Sequence, residues 1–136
     1  NLVPIITQTA AGKNSLTVHG NDYDTRDGTC IRDYVHVSDI ADAHLKALAF
    51  LVSGKAKQPY SVYNLGTGNG VSVLEAIKAF EKVTGQKLNY TIGPRRAGDV
   101  VEIYSNSSKA QKDLGWTPKL SIDDMMLSAW KWQGLV

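Results

Sequence analysis

The stretch that decides the fold runs from Asp27 to Val52 and reads DGTCIRDYVHVSDIADAHLKALAFLV. Its first part, residues 30–37, has the β-branched and aromatic residues of a strand. Residues 39–52 then follow a helical period and are apolar on nearly all sides. Asp42 and Lys46, in a narrow polar stripe, are spaced for an i,i+4 ion pair. We therefore predict a strand that leads into a helix buried on most of its faces.

Upstream of this stretch, residues 4–11 favour a short helix, and Leu16–His19 alternates like a strand. A polar excursion, residues 21–29, separates this strand from the one at 30–37. We expect the two strands to pair antiparallel and the excursion to form a long functional loop.

Downstream of this stretch, the pattern predicts a strand at 60–65, a helix at 72–84, a strand at 87–92, an extended piece at 100–104, and helices at 107–114 and 121–133. Ser72 and Glu75 have the spacing of a capping box, and Gly85 suits a left-handed helix end. The element order predicts a mixed α/β (α+β) fold with short strands and about five helices.

The composition indicates one soluble domain of 136 residues, with 43% hydrophobic and 21% charged residues. No apolar run reaches the roughly 20 residues that span a bilayer. A lone Cys30 cannot form an internal disulfide, which favours the cytoplasm. The net charge is only +2 and the charged residues are scattered along the chain, which argues against nucleic acid as a partner. Because the chain opens at Asn1 without methionine, we expect it to be cut from a longer protein.

A glycine-rich segment, Gly66-Thr67-Gly68-Asn69-Gly70, is the first candidate for a site. A dinucleotide-binding fingerprint needs its third glycine three positions after the second, and that position is Val71. We therefore interpret these glycines as a strand-to-helix turn. His36 and His44 have no metal-ligand spacing around them, so structural roles are favoured.

Arg32 and Asp33 form the second candidate, because neighbours in a strand point to opposite faces. One of them is expected to face a cleft. From the residues alone, a surface arginine beside a structural aspartate is an equally good interpretation.

Arg95-Arg96-Ala97-Gly98-Asp99 forms the third candidate. An arginine fork matches two phosphate oxygens at once, and an aspartate can accept hydrogen bonds from a vicinal diol such as that of ribose. The segment therefore describes a clamp for a nucleoside diphosphate. A solvated charged loop explains the same residues equally well.

Several segments taken together resemble the extended short-chain dehydrogenase/reductases, specifically the UDP-glucose (UDP-galactose) 4-epimerases. They are NLVP, SLTVHGNDYDTRDGTCIRDYVHVSDIADAH, YNLGTG, RRAGDV, KAQKDLGW and WKWQ, and the resemblance runs from Asn1 to about Gln133. It implies that residues 1–136 are the C-terminal, nucleotide-sugar-binding portion of such an enzyme, without its Rossmann NAD-binding core. Residues 39–65 are then expected to pack on, or belong to, that missing domain.

The resemblance also implies roles for individual residues. Asn1, the Leu2 backbone, Arg32 and Arg96 correspond to positions that hold the diphosphate of the substrate, and Asp99 to the acid that binds ribose. The uracil is expected to lie against the strand Leu16, Thr17, Val18 and His19, with Tyr34 near the site. Members of this family often have phenylalanine or tyrosine where this chain has His19, so we expect weaker stacking there.

The implied activity is that of an isomerase that interconverts UDP-galactose and UDP-glucose through an NAD-dependent 4-keto intermediate. The glycine-rich NAD loop and the Ser/Tyr/Lys group of the family lie upstream of Asn1, and this chain has no Tyr-x-x-x-Lys. We therefore expect NAD in the missing domain, no catalysis by this chain alone, and a homodimer of the full-length protein. An epimerase for UDP-N-acetylhexosamines or UDP-pentoses, or a non-catalytic nucleotide-sugar-binding module, remain open.

Overall fold

The computed structural model describes residues 1–135, which form five helices and five short strands in a mixed α/β order. The predicted fold class is thus confirmed. The helices are α1 (Leu2–Ala10), α2 (Val37–Val52), α3 (Val73–Thr84), α4 (Ser108–Leu114) and α5 (Ile122–Gln133). The strands are β1 (Leu16–His19), β2 (Ile31–Arg32), β3 (Val71–Ser72), β4 (Tyr90–Gly93) and β5 (Glu102–Ile103).

The strands form two small sheets, and the predicted antiparallel pairing of β1 with β2 is wrong. β1 pairs in parallel with β4, whereas β2 lies between antiparallel β3 and parallel β5. Residues 20–29, which we call the Tyr23 loop, carry the chain from the first sheet to the second. Because both partners of β2 are themselves only two residues long, the strand predicted over 30–37 shortens to Ile31–Arg32.

The strand predicted at 60–65 is also wrong, since this segment is irregular. A strand needs a neighbour to satisfy its backbone groups, and no strand within residues 1–135 lies beside it. The side chains of Tyr60 and Val62 are exposed, whereas Tyr63 and Leu65 pack towards Trp116. The β-like alternation in the sequence therefore corresponds to one covered face and one open face.

Two apolar clusters hold the elements together. In the first, α1, α3, α5 and β1 surround Phe80, which meets Trp130 edge to face at 5.6 Å between ring centroids. In the second, α2 and α4 pack around the fully buried Trp116. The cleft described below lies along the first sheet and the N-terminal ends of α1 and α3.

Helix α2 is anchored through one side only. Its buried Asp39 accepts hydrogen bonds from the backbone N–H groups of Lys119 and Leu120, at 3.1 and 3.0 Å. The predicted Asp42–Lys46 pair is confirmed, with 4.0 Å between carboxylate and ammonium. The burial expected on most faces is not found among the described residues, because leucines of α2 remain 58–68% exposed, namely Leu45, Leu48 and Leu51.

The start of α3 is fastened to the Tyr23 loop. The predicted capping box of Ser72 and Glu75 is confirmed. Arg26 donates to both Glu75 oxygens and to the carbonyl oxygen of Gly70. Asp27 accepts from Ser72 Oγ on the same side. These contacts fix the Tyr23 loop to the scaffold, and its expected functional role stays a prediction.

These contacts predict an acid-sensitive stability. The Arg26 guanidinium and the Ser72 hydrogen bonds lower the pKa of Glu75 from 4.5 to about 2. A carboxylate whose folded pKa is depressed stabilises the fold above its unfolded pKa, and this contribution is lost as the pH falls from 4.5 towards 2. We expect Arg26→Ala to flatten the fall of Tm across this window. Lys87→Ala is the control. Lys87 is an exposed lysine 3.6 Å from Glu81, and its loss should leave the dependence of Tm on pH unchanged. Parallel curves for Arg26→Ala and the parent protein would contradict this prediction.

Candidate functional site

A cleft of about 630 Å³ is lined by five separate parts of the chain: the start of α1, β1, the β2 region, the start of α3 and the loop that precedes β5. Nine of the ten residues predicted to bind a nucleotide border it: Asn1, Leu2, Leu16, Thr17, His19, Arg32, Tyr34, Arg96 and Asp99. The fold thus brings together residues that lie nearly 100 positions apart in the chain.

Val18 is the exception, and strand alternation explains it. Along β1 the side chains of Leu16 and Val18 turn into the core, whereas those of Thr17 and His19 are exposed. Val18 is 1% exposed and does not border the cleft. A ligand lying against β1 would meet the side chains of Thr17 and His19, and the edge of Leu16.

Four residues that border the cleft were not among the predicted site residues: Ile5, Ser15, Cys30 and Val73. The sequence contained a signal from which two of them could have been predicted. Ile5 lies within one helical turn of Leu2, and Cys30 lies two residues before Arg32, so that both share a face with a predicted residue. Ser15 and Val73 reach the cleft only through the tertiary fold.

The charged end of the cleft is formed by two arginines that converge on one carboxylate. Arg96 donates to Asp99 Oδ1 at 2.7 Å, and an Arg32 nitrogen lies 3.6 Å from the same oxygen. Arg32 also donates to the carbonyl oxygens of Ile31 and Val100, at 2.8 and 2.6 Å, which fix its guanidinium. The Asp99 hydrogen bond raises the pKa of Arg96. The cluster carries two positive charges and one negative charge.

Asp33 points away from this cluster, as expected for the neighbour of Arg32 in a strand. Its carboxylate accepts from the N–H groups of Thr67, Gly68 and Ser105, at 2.9, 3.2 and 3.0 Å, and from Thr67 Oγ1. Burial opposes its ionisation, but these hydrogen bonds outweigh burial and lower the pKa of Asp33. Asp33 is thus a structural residue that joins three segments of the chain.

Tyr34 is held in its neutral form. Burial raises the pKa of Tyr34 to about 12, against a smaller opposing effect of Arg32. At neutral pH its hydroxyl is therefore protonated, and it can exchange hydrogen bonds with a ligand but not act as a base.

The N-terminal end of α1 adds a second binding element. Its first backbone N–H groups have no partner within the helix, and the Asn1 side chain makes no capping bond to them. Asn1, Leu2 and Ile5 all border the cleft. An anion in the cleft would meet the positive end of the helix dipole together with two guanidinium groups.

The glycine-rich segment forms a tightly packed turn at two of its three glycines. A Cβ at Gly66 would lie 2.3 Å from an Asp33 carboxylate oxygen, and one at Gly70 would lie 2.2 Å from Ile31 Cγ2. The side of Gly66 and Gly70 on which a Cβ would stand is thus filled by protein, whereas a second cavity of about 540 Å³ borders Gly66, Thr67 and Gly68. Residues 1–135 also contain no group of His, Cys, Asp or Glu side chains that could hold a metal ion.

Residues 1–128 match the protein family described as GDP-mannose 4,6 dehydratase. The chain belongs to this family. Among curated relatives, it is 51% identical over 134 residues to the UDP-glucose 4-epimerase of Yersinia enterocolitica. The aligned part is 98% of this chain and 38% of that relative. The resemblance to UDP-glucose 4-epimerases that the motifs predicted is confirmed.

Two solved structures with the same fold are UDP-glucose 4-epimerases. The UDP-glucose 4-epimerase of Stenotrophomonas maltophila, with bound NAD and formylated UDP-arabinopyranose, has a TM-score of 0.94 at 46% identity. That of Bifidobacterium longum, in complex with NAD+ and UDP, has a TM-score of 0.90 at 47% identity. Both comparisons cover 99% of this chain, and 40% and 39% of the solved chains.

The chain therefore spans about two fifths of the length of the relatives it matches. In this part, no helix among residues 1–135 is long and apolar enough to cross a membrane.

Proposed function

We propose that this chain is the UDP-sugar-binding part of a UDP-glucose 4-epimerase. The observation that carries the proposal is the convergence of Arg32, Arg96 and Asp99 at one end of a single cleft. Two guanidinium forks match the oxygens of a diphosphate, and a carboxylate matches the two hydroxyls of a ribose. Two separate segments supply these groups, since Arg32 lies on β2 and Arg96 and Asp99 lie on the loop before β5, so a charged loop alone does not explain them.

The remaining lining residues suit the other parts of a UDP-sugar. The Asn1 amide and the backbone N–H groups at the start of α1 face the diphosphate. Thr17 and His19 offer a polar edge and an imidazole ring on which the uracil can stack. Tyr34 supplies a neutral hydroxyl. The Arg96–Asp99 ion pair must open when the nucleotide binds, so that phosphate replaces the carboxylate on the arginine.

This division of contacts fits the chemistry of a 4-epimerase. After oxidation at C4, the hexose must turn so that its other face receives the hydride. Binding energy that is the same before and after turning has to come from the UDP end. NAD, which supplies the redox chemistry, is proposed to bind in the part of the protein outside this chain.

A related epimerase specificity is the second candidate. The solved relative from Stenotrophomonas maltophila contains a UDP-linked pentose derivative. The groups described here recognise UDP and leave the choice between hexose and pentose to the rest of the enzyme.

The test is a pair of measurements on the full-length protein. UDP should bind in calorimetry, and UDP-galactose should be converted to UDP-glucose in an assay coupled to NADH formation by UDP-glucose dehydrogenase. A panel with UDP-xylose, UDP-arabinose and UDP-N-acetylglucosamine separates the sister activities. UDP binding without conversion of any sugar would indicate a non-catalytic binding module, and absence of UDP binding would refute the proposal. The isolated chain is expected to convert none of these sugars.

The proposal includes a partner surface for the rest of the protein. The open side of α2 exposes apolar side chains, namely Val37, Leu45, Leu48, Leu51 and Val52, and the segment 60–62 exposes Tyr60 and Val62. Contiguous apolar surface of this kind marks an interface, and about three fifths of the length of the relatives lies outside this chain. We propose that the NAD-binding part covers this face, in a cytoplasmic enzyme that is a homodimer.

A double substitution, Leu48→Glu with Leu51→Glu, tests this surface. If the face is covered, each buried leucine contributes about 2 kcal/mol to the free energy of unfolding of the full-length protein. The double variant should lose most of these two contributions. The isolated chain should lose less than about 0.5 kcal/mol, because both positions are already exposed there. Equal losses in the two proteins, measured by urea unfolding, would contradict a covered face.

A further inference from the structure

The first arginine of the Arg95-Arg96 pair does not border the cleft, although its neighbour does. Arg95 instead donates through Nε to Asp22 Oδ1 at 2.8 Å and through a terminal nitrogen to the Asp22 carbonyl oxygen. Its guanidinium carbon lies 4.3 Å from the centre of the Tyr23 ring. The pKa of Arg95 is raised, mainly by the Asp22 hydrogen bond. Three contacts therefore fix this side chain onto the Tyr23 loop.

Tyr23, whose ring Arg95 contacts, also interacts with residues that border the cleft. The residue is 6% exposed, and within residues 1–135 its hydroxyl makes no hydrogen bond of ordinary geometry. Burial, followed by the neighbouring Cys30 thiol and the Asp99 carboxylate, raises the pKa of Tyr23. Cys30 and Asp99 both border the cleft. Tyr23 thus contacts Arg95 through its ring and is close enough to two cleft residues for their charges to affect its hydroxyl.

Arg95 and Tyr23 pack so closely against Gly20 that no side chain could be added at that position. Gly20 has a φ of +80°, and a Cβ there would lie 2.5 Å from Tyr23 Cε2 and 3.0 Å from Arg95 Cγ. The Gly20 N–H also donates to the carbonyl oxygen of Gly93 at 3.0 Å. The segment that holds Arg96 and Asp99 is therefore fastened to the Tyr23 loop immediately before the clamp.

We infer that Arg95, held by Asp22 and Tyr23, is a positioning residue that sets the location of Arg96 and Asp99 for the nucleotide. The inference rests on the proposed function and adds a role for the Tyr23 loop. Arg95 does not touch the ligand in this account. It acts by keeping the turn of residues 96–99 in place, so that less ordering is required when UDP binds.

The alternative is that Arg95 attracts the phosphates by its charge. The two accounts predict opposite changes in UDP affinity for the variant Asp22→Ala. Asp22→Ala removes a negative charge, so simple attraction predicts tighter UDP binding. Positioning predicts weaker binding, because Arg95 loses its anchor. Arg95→Lys keeps the charge but loses the planar fork, so positioning predicts a loss close to that of Arg95→Ala.

The experiment measures Kd for UDP by calorimetry, and KM and kcat for UDP-galactose, in the full-length protein. We expect Arg95→Ala to raise Kd and KM about tenfold and Asp22→Ala to raise them about threefold, on the scale of one or two lost hydrogen bonds to a charged group. The effects should be non-additive in the double variant. Since the clamp contacts the UDP end only, kcat should change less than about twofold.

Lys109→Ala is the matched control. Lys109 also lies over an aromatic ring, 4.6 Å from the centre of Tyr63, and donates to a backbone oxygen, but it is remote from the cleft. Its loss should change Tm but not Kd. Tighter or unchanged UDP binding in Asp22→Ala, with the parent protein and Arg96→Ala behaving as proposed, would overturn the positioning role alone. Absence of UDP binding in the parent protein would overturn the proposed function and this role with it.

Discussion

Replacing Arg96 with alanine in the full-length protein is expected to raise the KM for UDP-galactose about 100-fold, the scale of a lost bidentate contact to phosphate. The same change should lower kcat less than about threefold, because the diphosphate is held in the same way before and after the sugar turns. Steady-state kinetics together with the Kd for UDP measure both effects. Arg96 is about two thirds exposed, so the fold should tolerate its loss.

Lys82→Ala controls for the loss of one positive charge. The exposed Lys82 pairs with the half-buried Asp123 on α5 and does not border the cleft, so KM should remain within about twofold of the parent value. A fall in kcat without a rise in KM for Arg96→Ala would contradict the assignment of Arg96 to the diphosphate.

Replacing Asp33 with alanine is expected to lower the free energy of unfolding by about 3 kcal/mol, the largest stability effect we expect from a single substitution. The change leaves three backbone N–H groups without their acceptor, whereas the Thr67 hydroxyl can still donate to the carbonyl oxygen of Asn69. Asp33→Asn, which retains one acceptor oxygen, should lose about half as much. Urea unfolding of the full-length protein provides the measurement.

Asp123→Ala is the control for this loss of a carboxylate and should cost less than about 0.5 kcal/mol, since its lysine partner is exposed. Because the Asp33 side chain points away from the cleft, its folded variants should keep KM within about twofold. Arg32→Ala should show the reverse pattern, with a large rise in KM and a smaller loss of stability. Identical effects of the two neighbours would contradict their assignment to opposite faces.

Local chemistry made part of this structure predictable. The Ser72–Glu75 capping box and the Asp42–Lys46 pair involve residues within one helical turn, and both were found. The opposite directions of Arg32 and Asp33 follow from the two-residue period of a strand. The choice between a clamp and a solvated charged loop was open in the sequence, because phosphate binding by Arg96 needs partners from other segments.

Other features depend on contacts between distant segments and could not be predicted. The pairing of β1 with β4 joins residues about 74 positions apart, as in Leu16 and Tyr90. Residues 60–65 have the alternation of a strand but lack a neighbour within residues 1–135. Arg95 and Arg96 are equally good phosphate ligands by composition, and the structure distinguishes them because Arg95 pairs with Asp22 whereas Arg96 borders the cleft.

The most direct test of the nucleotide clamp is the crystal structure of the full-length protein with UDP. We expect the Arg96–Asp99 pair to be open, both guanidinium groups to donate to the diphosphate, and Asp99 to accept from the ribose hydroxyls. A structure in which UDP lies elsewhere, with Arg96 still bound to Asp99, would contradict the account.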